Sequence, residues 1–317
     1  MDICEAGKNR VARADDSSLD PEELRAVQVA ARRALDRASG WGIYPTPIGD
    51  ILEAANLRVA PASAFDPSRM MEYLLGKAEQ VASALKSAIS KVLGIYDADE
   101  CLIHIDHEVR PSKQNFLKLH EAGHHELPTH RKLFRIFHDC EKTLEPEIAD
   151  QFEREANNFA RYVLFQGDGY ASMAADHKFE IKTPIKLAGK FGASVYASCR
   201  EFARTHHRAC VVYVLEGITY CEESGARAEV RRIEASQSFR QQFGLPREQV
   251  ITLDHSLGRV LPMGRKMTRP TTVSMTDRNG EAHECLAEAF DTSFNVVILV
   301  YPIKSLGSSI SGWAVTG

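Results

Sequence analysis

The chain has 317 residues, 44% of them hydrophobic, which is enough for two packed domains. A net charge of −4 gives no global field to draw it to nucleic acid or to anionic membranes. No apolar run approaches 18 residues, the first twenty residues lack a signal peptide's apolar stretch, and seven cysteines without a CxxC pair read as reduced thiols, so a cytoplasmic protein with neither a disulfide frame nor a thiolate metal site is expected.

Residues 1–19 are polar and mixed in charge, and a disordered tail is expected there. Asp20, Pro21 and Glu23 then make a strong helix start: an N-cap, a proline at the first helical position and a glutamate at N3. That helix is predicted to run to about Ser39 and to stop at Gly40. A short helix over 47–55 and a short strand at Leu57–Val59 follow. Residues 68–93 carry apolar side chains at helical spacing, among them Met71, Leu75, Leu85 and Ile89. Cys101–Asp106 reads as a strand. Pro111 and Ser112 then open a helix with Ser112 as N-cap, and Pro128 bounds it on the far side.

That last helix carries His120-Glu121-Ala122-Gly123-His124, an HExxH pattern. Residues four apart on a helix share a face, so His120 and His124 can aim two imidazole nitrogens at one metal ion. Glu121 sits beside them as a candidate general base. A catalytic zinc site takes three protein ligands and leaves one position open, so a third ligand is needed. Pro146–Phe165 supplies it as a second helix with an apolar stripe at Phe152, Ala156, Phe159, Ala160, Val163 and Leu164. Glu153 and Glu155 lie at its edges. Glu153 is preferred because a helical wheel sets it nearer the stripe, with Glu155 as the alternative. Asn157, one turn beyond Glu153, is placed to orient a ligand imidazole.

His120-Glu121-Ala122-Gly123-His124 followed by Glu153-Arg154-Glu155-Ala156-Asn157-Asn158-Phe159-Ala160 resembles the ImmA/IrrE-type metallopeptidase family. Cys101–Asp106 and Asn115–Leu119 are similar to that family's preceding strand and helix lead-in, and the resemblance covers roughly residues 40–205. It implies a zincin-like, gluzincin-type catalytic domain holding Zn2+, peptidase activity, and a protein substrate of the kind several members cleave: helix-turn-helix repressors in stress or mobile-element responses. In zinc peptidases the strand before the active helix commonly binds substrate as an added strand, which assigns Ile103 and Ile105 to substrate binding. One departure stands out. Members often close the second helix with Leu-Leu-Met-Pro, whereas this chain has Val163-Leu164-Phe165-Gln166, so its exit from that helix is open to question.

Thr183–Lys190 and Ser194–Thr205 read as two helices split by Phe191-Gly192-Ala193. This pattern is faintly like a DNA-binding helix-turn-helix, but few basic residues are free, and the helices are expected to cap the protease. Beyond 208, strands are expected at 210–215, 250–253, 271–275 and 296–301, a turn at Asp277–Gly280, and a charged helix or extended segment over Arg227–Gln242. The expected organisation is α+β: a catalytic domain over 20–170, a helical cap over 171–207 and a smaller α/β domain over 208–317, sensor-like by analogy with some relatives. The function expected is zinc-dependent endopeptidase action with no membrane association, no direct nucleic-acid contact and an open oligomeric state. The competing readings are a transcriptional regulator with a structural zinc site and a ligand-sensing interaction protein.

Overall fold

The computed structural model describes residues 17–61, 94–98, 100–130, 146–221 and 225–303. The helix expected over 68–93 and the tail up to residue 16 lie outside them. The chain folds as mixed α+β and divides into two compact units, one of residues 1–167 with 191–193 and one of residues 168–190 with 194–317.

In the first unit α1 (Pro21–Arg37) starts as its sequence dictates. Asp20 caps it, and Glu23 returns a bond to the Asp20 N–H at 3.2 Å. Val27, Ala31, Ala34 and Leu35 form its buried face. It ends two residues before the expected Ser39, because Ser39 itself turns to a positive φ of 51° and lets Gly40 N–H close on Leu35 C=O at 2.9 Å. After α2 (Ile48–Ala54) come β1 (Arg58–Val59), β2 (Gly94–Asp97) and β3 (Leu102–Ile105), paired in the order β1-β3-β2. β1 runs parallel and β2 antiparallel to β3.

α3 (Pro111–Glu126) carries the HExxH pattern. Its N-cap is Arg110 and not Ser112 as expected: Pro111 takes the first helical position, where its fixed φ and missing N–H cost nothing. Leu127 is extended ahead of Pro128, as a residue before proline should be. α4 (Pro146–Leu164) buries Phe152, Ala156, Phe159, Ala160, Val163 and Leu164, the stripe read from its spacing. The exit left in question is closed by two left-handed residues, Gln166 (φ 53°) and Gly167 (φ 56°), with Gly167 N–H on Tyr162 C=O at 2.9 Å. The buried Gln166 side chain then donates to Ile43 C=O and accepts from Gly42 N–H, both at 2.8 Å.

α3 and α4 touch at Gly123. A Cβ there would stand 3.3 Å from Ala156 Cα and 3.2 Å from Phe159 Cδ1, so the two helices approach backbone to side chain with nothing between them.

The second unit starts with α5 (Gly169–Ala175), α6 (Lys182–Phe191) and α7 (Val195–Thr205), whose N-cap Ser194 accepts the Ala197 N–H. A seven-stranded sheet follows: β4 (Val211–Leu215), β5 (Thr219–Cys221), β6 (Gly225–Ala235), β7 (Val250–Thr252), β8 (Thr271–Thr276), β9 (Ala282–Asp291) and β10 (Val296–Pro302). Its order is β5-β6-β4-β10-β9-β8, with β7 also on β6. Every pairing is antiparallel, so the α/β character expected for this region is corrected to antiparallel β with helices. The only helix of four or more residues among the described strands is α8 (Gln237–Phe243), too short for a parallel crossover. The segment 227–242 divides between β6 and α8. β4 and β10 are buried throughout, because α7 packs on β4, β6 and β10 while α8 and the 257–261 loop cover the other face.

The contact at Gly123 predicts an asymmetry. Gly123→Val should cost about 1–3 kcal/mol in a denaturant titration by overpacking the α3–α4 contact. Gly49→Ala, on an exposed face of α2 where a Cβ meets nothing, should be neutral or stabilising by up to about 1 kcal/mol. Equal effects at both positions would contradict the packing described.

Candidate metal centre

The helical repeat of α3 stacks His120 above His124, with their Nε2 atoms 3.3 Å apart. α4, held close by Gly123, brings the Glu153 carboxylate to 3.2 Å from His120 Nε2 and 3.6 Å from His124 Nε2. Bonds of about 2.0–2.1 Å to a tetrahedral ion set its ligand atoms about 3.3 Å apart. The three separations observed therefore match one face of a zinc coordination tetrahedron, and the donor set of two imidazoles and a carboxylate suits that ion. Glu121 is buried beside the cluster, and its carboxylate accepts the backbone N–H of Tyr96 on β2.

The electrostatics are those of a site that needs a cation. Burial opposes charge on His120, but the hydrogen bond and charge of Glu153 outweigh it and raise the imidazole to about 9. Asn157, buried one turn beyond Glu153, also favours the charged form of His120. Burial, then the charge of His120, lowers His124 to about 3. Burial would raise Glu153, yet the His120 hydrogen bond and the surrounding imidazoles hold it at about 2. Burial lifts Glu121 to about 7, against the pull of His120.

The structure separates the two glutamates on a ground opposite to the helical wheel. Glu155 is the buried one, and the Glu153 side chain is 54% exposed. The Glu155 carboxylate does not reach the cluster; it accepts from His130 Nε2 at 2.8 Å. His130 is fully buried, stacked on Phe152 with centroids 4.0 Å apart, and 3.0 Å from His124 through their Nδ1 atoms. With His124 Nε2 turned to the cluster, its Nδ1 carries the proton and donates to His130, whose Nε2 then donates to Glu155. Gln151 extends the chain, donating to Glu155 at 3.0 Å and to Glu23 of α1 at 2.9 Å. No sequence spacing marked His130, because it lies past Pro128 and off the α3 repeat. His125 points elsewhere, its Nδ1 2.5 Å from the Tyr96 hydroxyl.

Ile103 and Ile105 are fully buried, and β3 lies between β1 and β2. Their assignment to substrate binding is corrected: a strand with neighbours on both sides has no edge to offer an extended peptide. The outer strand nearest Glu121 is β2.

Residues 84–202 match a family model described as Peptidase_M78, IrrE N-terminal-like domain. This stretch is similar to IrrE N-terminal-like domains. The resemblance to ImmA/IrrE-type metallopeptidases therefore holds over the HExxH helix, α4, and on into α7. No curated protein matches the chain significantly. Among solved structures, a Mycobacterium tuberculosis transcriptional regulator aligns with a TM-score of 0.49 at 13% identity, over 87% of this chain and 75% of that one. Among the described residues no helix is long and apolar enough to cross a membrane.

Two measurements follow for the IrrE-like domain. His120 titrates at about 9 in the metal-free protein, above its ordinary 6.5, so its ion pair with Glu153 is present at neutral pH and is lost as pH rises through about 9. A metal ligand must be neutral, so zinc binding at pH 7 should release about one proton, falling towards none above pH 9, as read by calorimetry in buffers of different ionisation enthalpy. His130→Ala should weaken zinc binding by about 10- to 100-fold with His120, His124 and Glu153 intact, and Glu155→Gln should weaken it less. Unchanged zinc affinity in both variants would remove the His130 chain from the site.

Proposed function

We propose that this chain is a zinc-dependent endopeptidase acting on a protein substrate, with His120, His124 and Glu153 as metal ligands and Glu121 as general base. The observation that carries this reading is the convergence of the three ligand groups within 3.2–3.6 Å, on two helices that share a Gly123 contact. The family match over 84–202 supports a peptidase of metal-dependent type. A zinc ion held by these residues supplies a Lewis acid for the scissile carbonyl and lowers the pKa of water. Glu121, buried against the cluster, takes a proton from the attacking water. It then returns that proton to the amide nitrogen as the C–N bond breaks, which leaves a carboxylate and an amine. Asn157 orients His120, and the His130–Glu155 chain orients His124.

β2 takes the place first given to β3. It is an outer strand of the sheet among the described residues, and its Tyr96 N–H already reaches Glu121. An extended substrate pairing with β2 would pass in front of Glu121, gaining affinity from backbone hydrogen bonds that tolerate sequence variation. The substrate class favoured is a helix-turn-helix repressor, on the strength of the family resemblance, and the working compartment is the cytoplasm. The competing DNA-binding role for 184–204 is disfavoured by Arg200 and Arg204. Both are engaged by Glu234 at 2.7 Å within the second unit.

Glu121→Gln should retain zinc and abolish cleavage of repressors encoded near the gene, while His124→Ala should lose both, by metal analysis and gel assay with and without chelator. Chelator-insensitive cleavage, or full activity in Glu121→Gln, would overturn the mechanism.

A further inference from the structure

The second unit holds a cavity of about 270 Å³ between β4, β8 and the segment from α8 to the 3-10 turn at 258–260. At roughly 30 Å³ per water-sized centre, that is room for about nine non-hydrogen atoms. Its walls are of two kinds. Phe243, Leu257 and Met275 provide apolar surface, and Tyr213 and Glu248 provide polar atoms.

Those polar atoms are unusual in what they lack. Tyr213 lies mid-strand on β4 with no exposed surface, and its hydroxyl has no hydrogen-bond partner among the described residues. The Glu248 Oε2 atom is buried and equally unpartnered. Burial, then the nearby charge of Glu248, pushes the Tyr213 phenol well above its ordinary range, so the two groups act on one region of space. A buried carboxylate oxygen and a buried phenol are each costly when left unpaired, the charged one more so. A strand centre otherwise made of Val211, Val212, Val214 and Leu215 would accept a phenylalanine at 213 without that cost. Among the other polar wall groups, His255 already spends its Nδ1 on the Leu257 N–H at 3.1 Å.

We propose that this cavity binds a small primary amine with an apolar body, the ammonium group donating to Glu248 Oε2 and Tyr213 Oη and the body packing on Phe243, Leu257 and Met275. An ammonium has three donors and a positive charge, and it satisfies both orphan oxygens while neutralising the carboxylate. A neutral alcohol supplies one donor and no charge, and a carboxylate repels Glu248. The site is independent of the metal centre: all its wall residues lie between 213 and 276.

The test uses the full chain and three probes with one phenyl body and nearly equal size: phenethylamine, 2-phenylethanol and phenylacetate. Isothermal calorimetry should show saturable binding of phenethylamine, at least tenfold weaker binding of the alcohol and none of the carboxylate. Glu248→Gln, at a half-buried position where folding should survive, should weaken the amine about tenfold or more. Tyr213→Phe should weaken it further in a protein of unchanged circular dichroism, and should leave zinc binding untouched. No binding of phenethylamine, equal binding of the alcohol, or full amine affinity in Glu248→Gln would each overturn the proposal. If Tyr213→Phe fails to fold, Glu248→Gln alone decides.

Discussion

The close contact of α3 and α4 at Gly123 is the constraint on which the metal centre depends. Two histidines a turn apart can be placed by one helix alone, since the repeat guarantees their common face. The third donor cannot, because it comes from a helix whose distance is set by packing. With Ala156 Cα and Phe159 at 3.2–3.3 Å from where a Gly123 Cβ would stand, α4 sits too near to leave room for a side chain there. Glu153, one turn before that contact, is thereby carried to the histidines with a half-exposed side chain, as an open coordination position requires. The glycine inside HExxH thus sets the distance to a carboxylate that lies thirty residues away.

Burying so many imidazoles and carboxylates is costly unless each finds a partner, and the chain His124–His130–Glu155–Gln151–Glu23 is how this fold meets that demand. Each link fixes the proton position of the next. The chain ends on the helix-capping glutamate of α1, so an element remote in sequence from the motif helps hold the tautomer of His124. The capping box is therefore both a local start signal and an anchor for the network behind the site.

The sequence was informative where a period encodes geometry and poor where neighbours do. α1, α3 and α4 follow from caps and a 3.6-residue repeat, and their bounds fall within about two residues of expectation. Glu153 was favoured on a wheel argument that the structure reverses. The wheel measures burial, whereas a metal ligand at an open site must be partly exposed. β3 was taken for an edge because strand order is not written in local pattern; only pairing with β1 and β2 shows it to be central. β9 escaped notice for the same reason. Its Ala-Glu-rich sequence has weak strand propensity and is held by β8 and β10 on either side. His130 was invisible because its partners are fixed by the fold, not by spacing.

The helix-turn-helix-like stretch shows why a motif must be weighed by where its few charges end up. Arg200 and Arg204 recur at i and i+4 on α7, as a recognition helix might present them. In the fold both converge on Glu234 of β6, and Arg204 also meets Glu201 at 3.3 Å. Burial would raise Glu234, yet the two guanidinium groups lower it, so the carboxylate stays charged inside the unit. Removing either arginine would leave a buried charge short of a partner, a cost larger than any a surface pair could impose. Guanidinium groups committed this way cannot also neutralise phosphates, since nucleic-acid affinity depends on releasing counterions to free cations. The two arginines of this segment are the charges that tie α7 to its sheet.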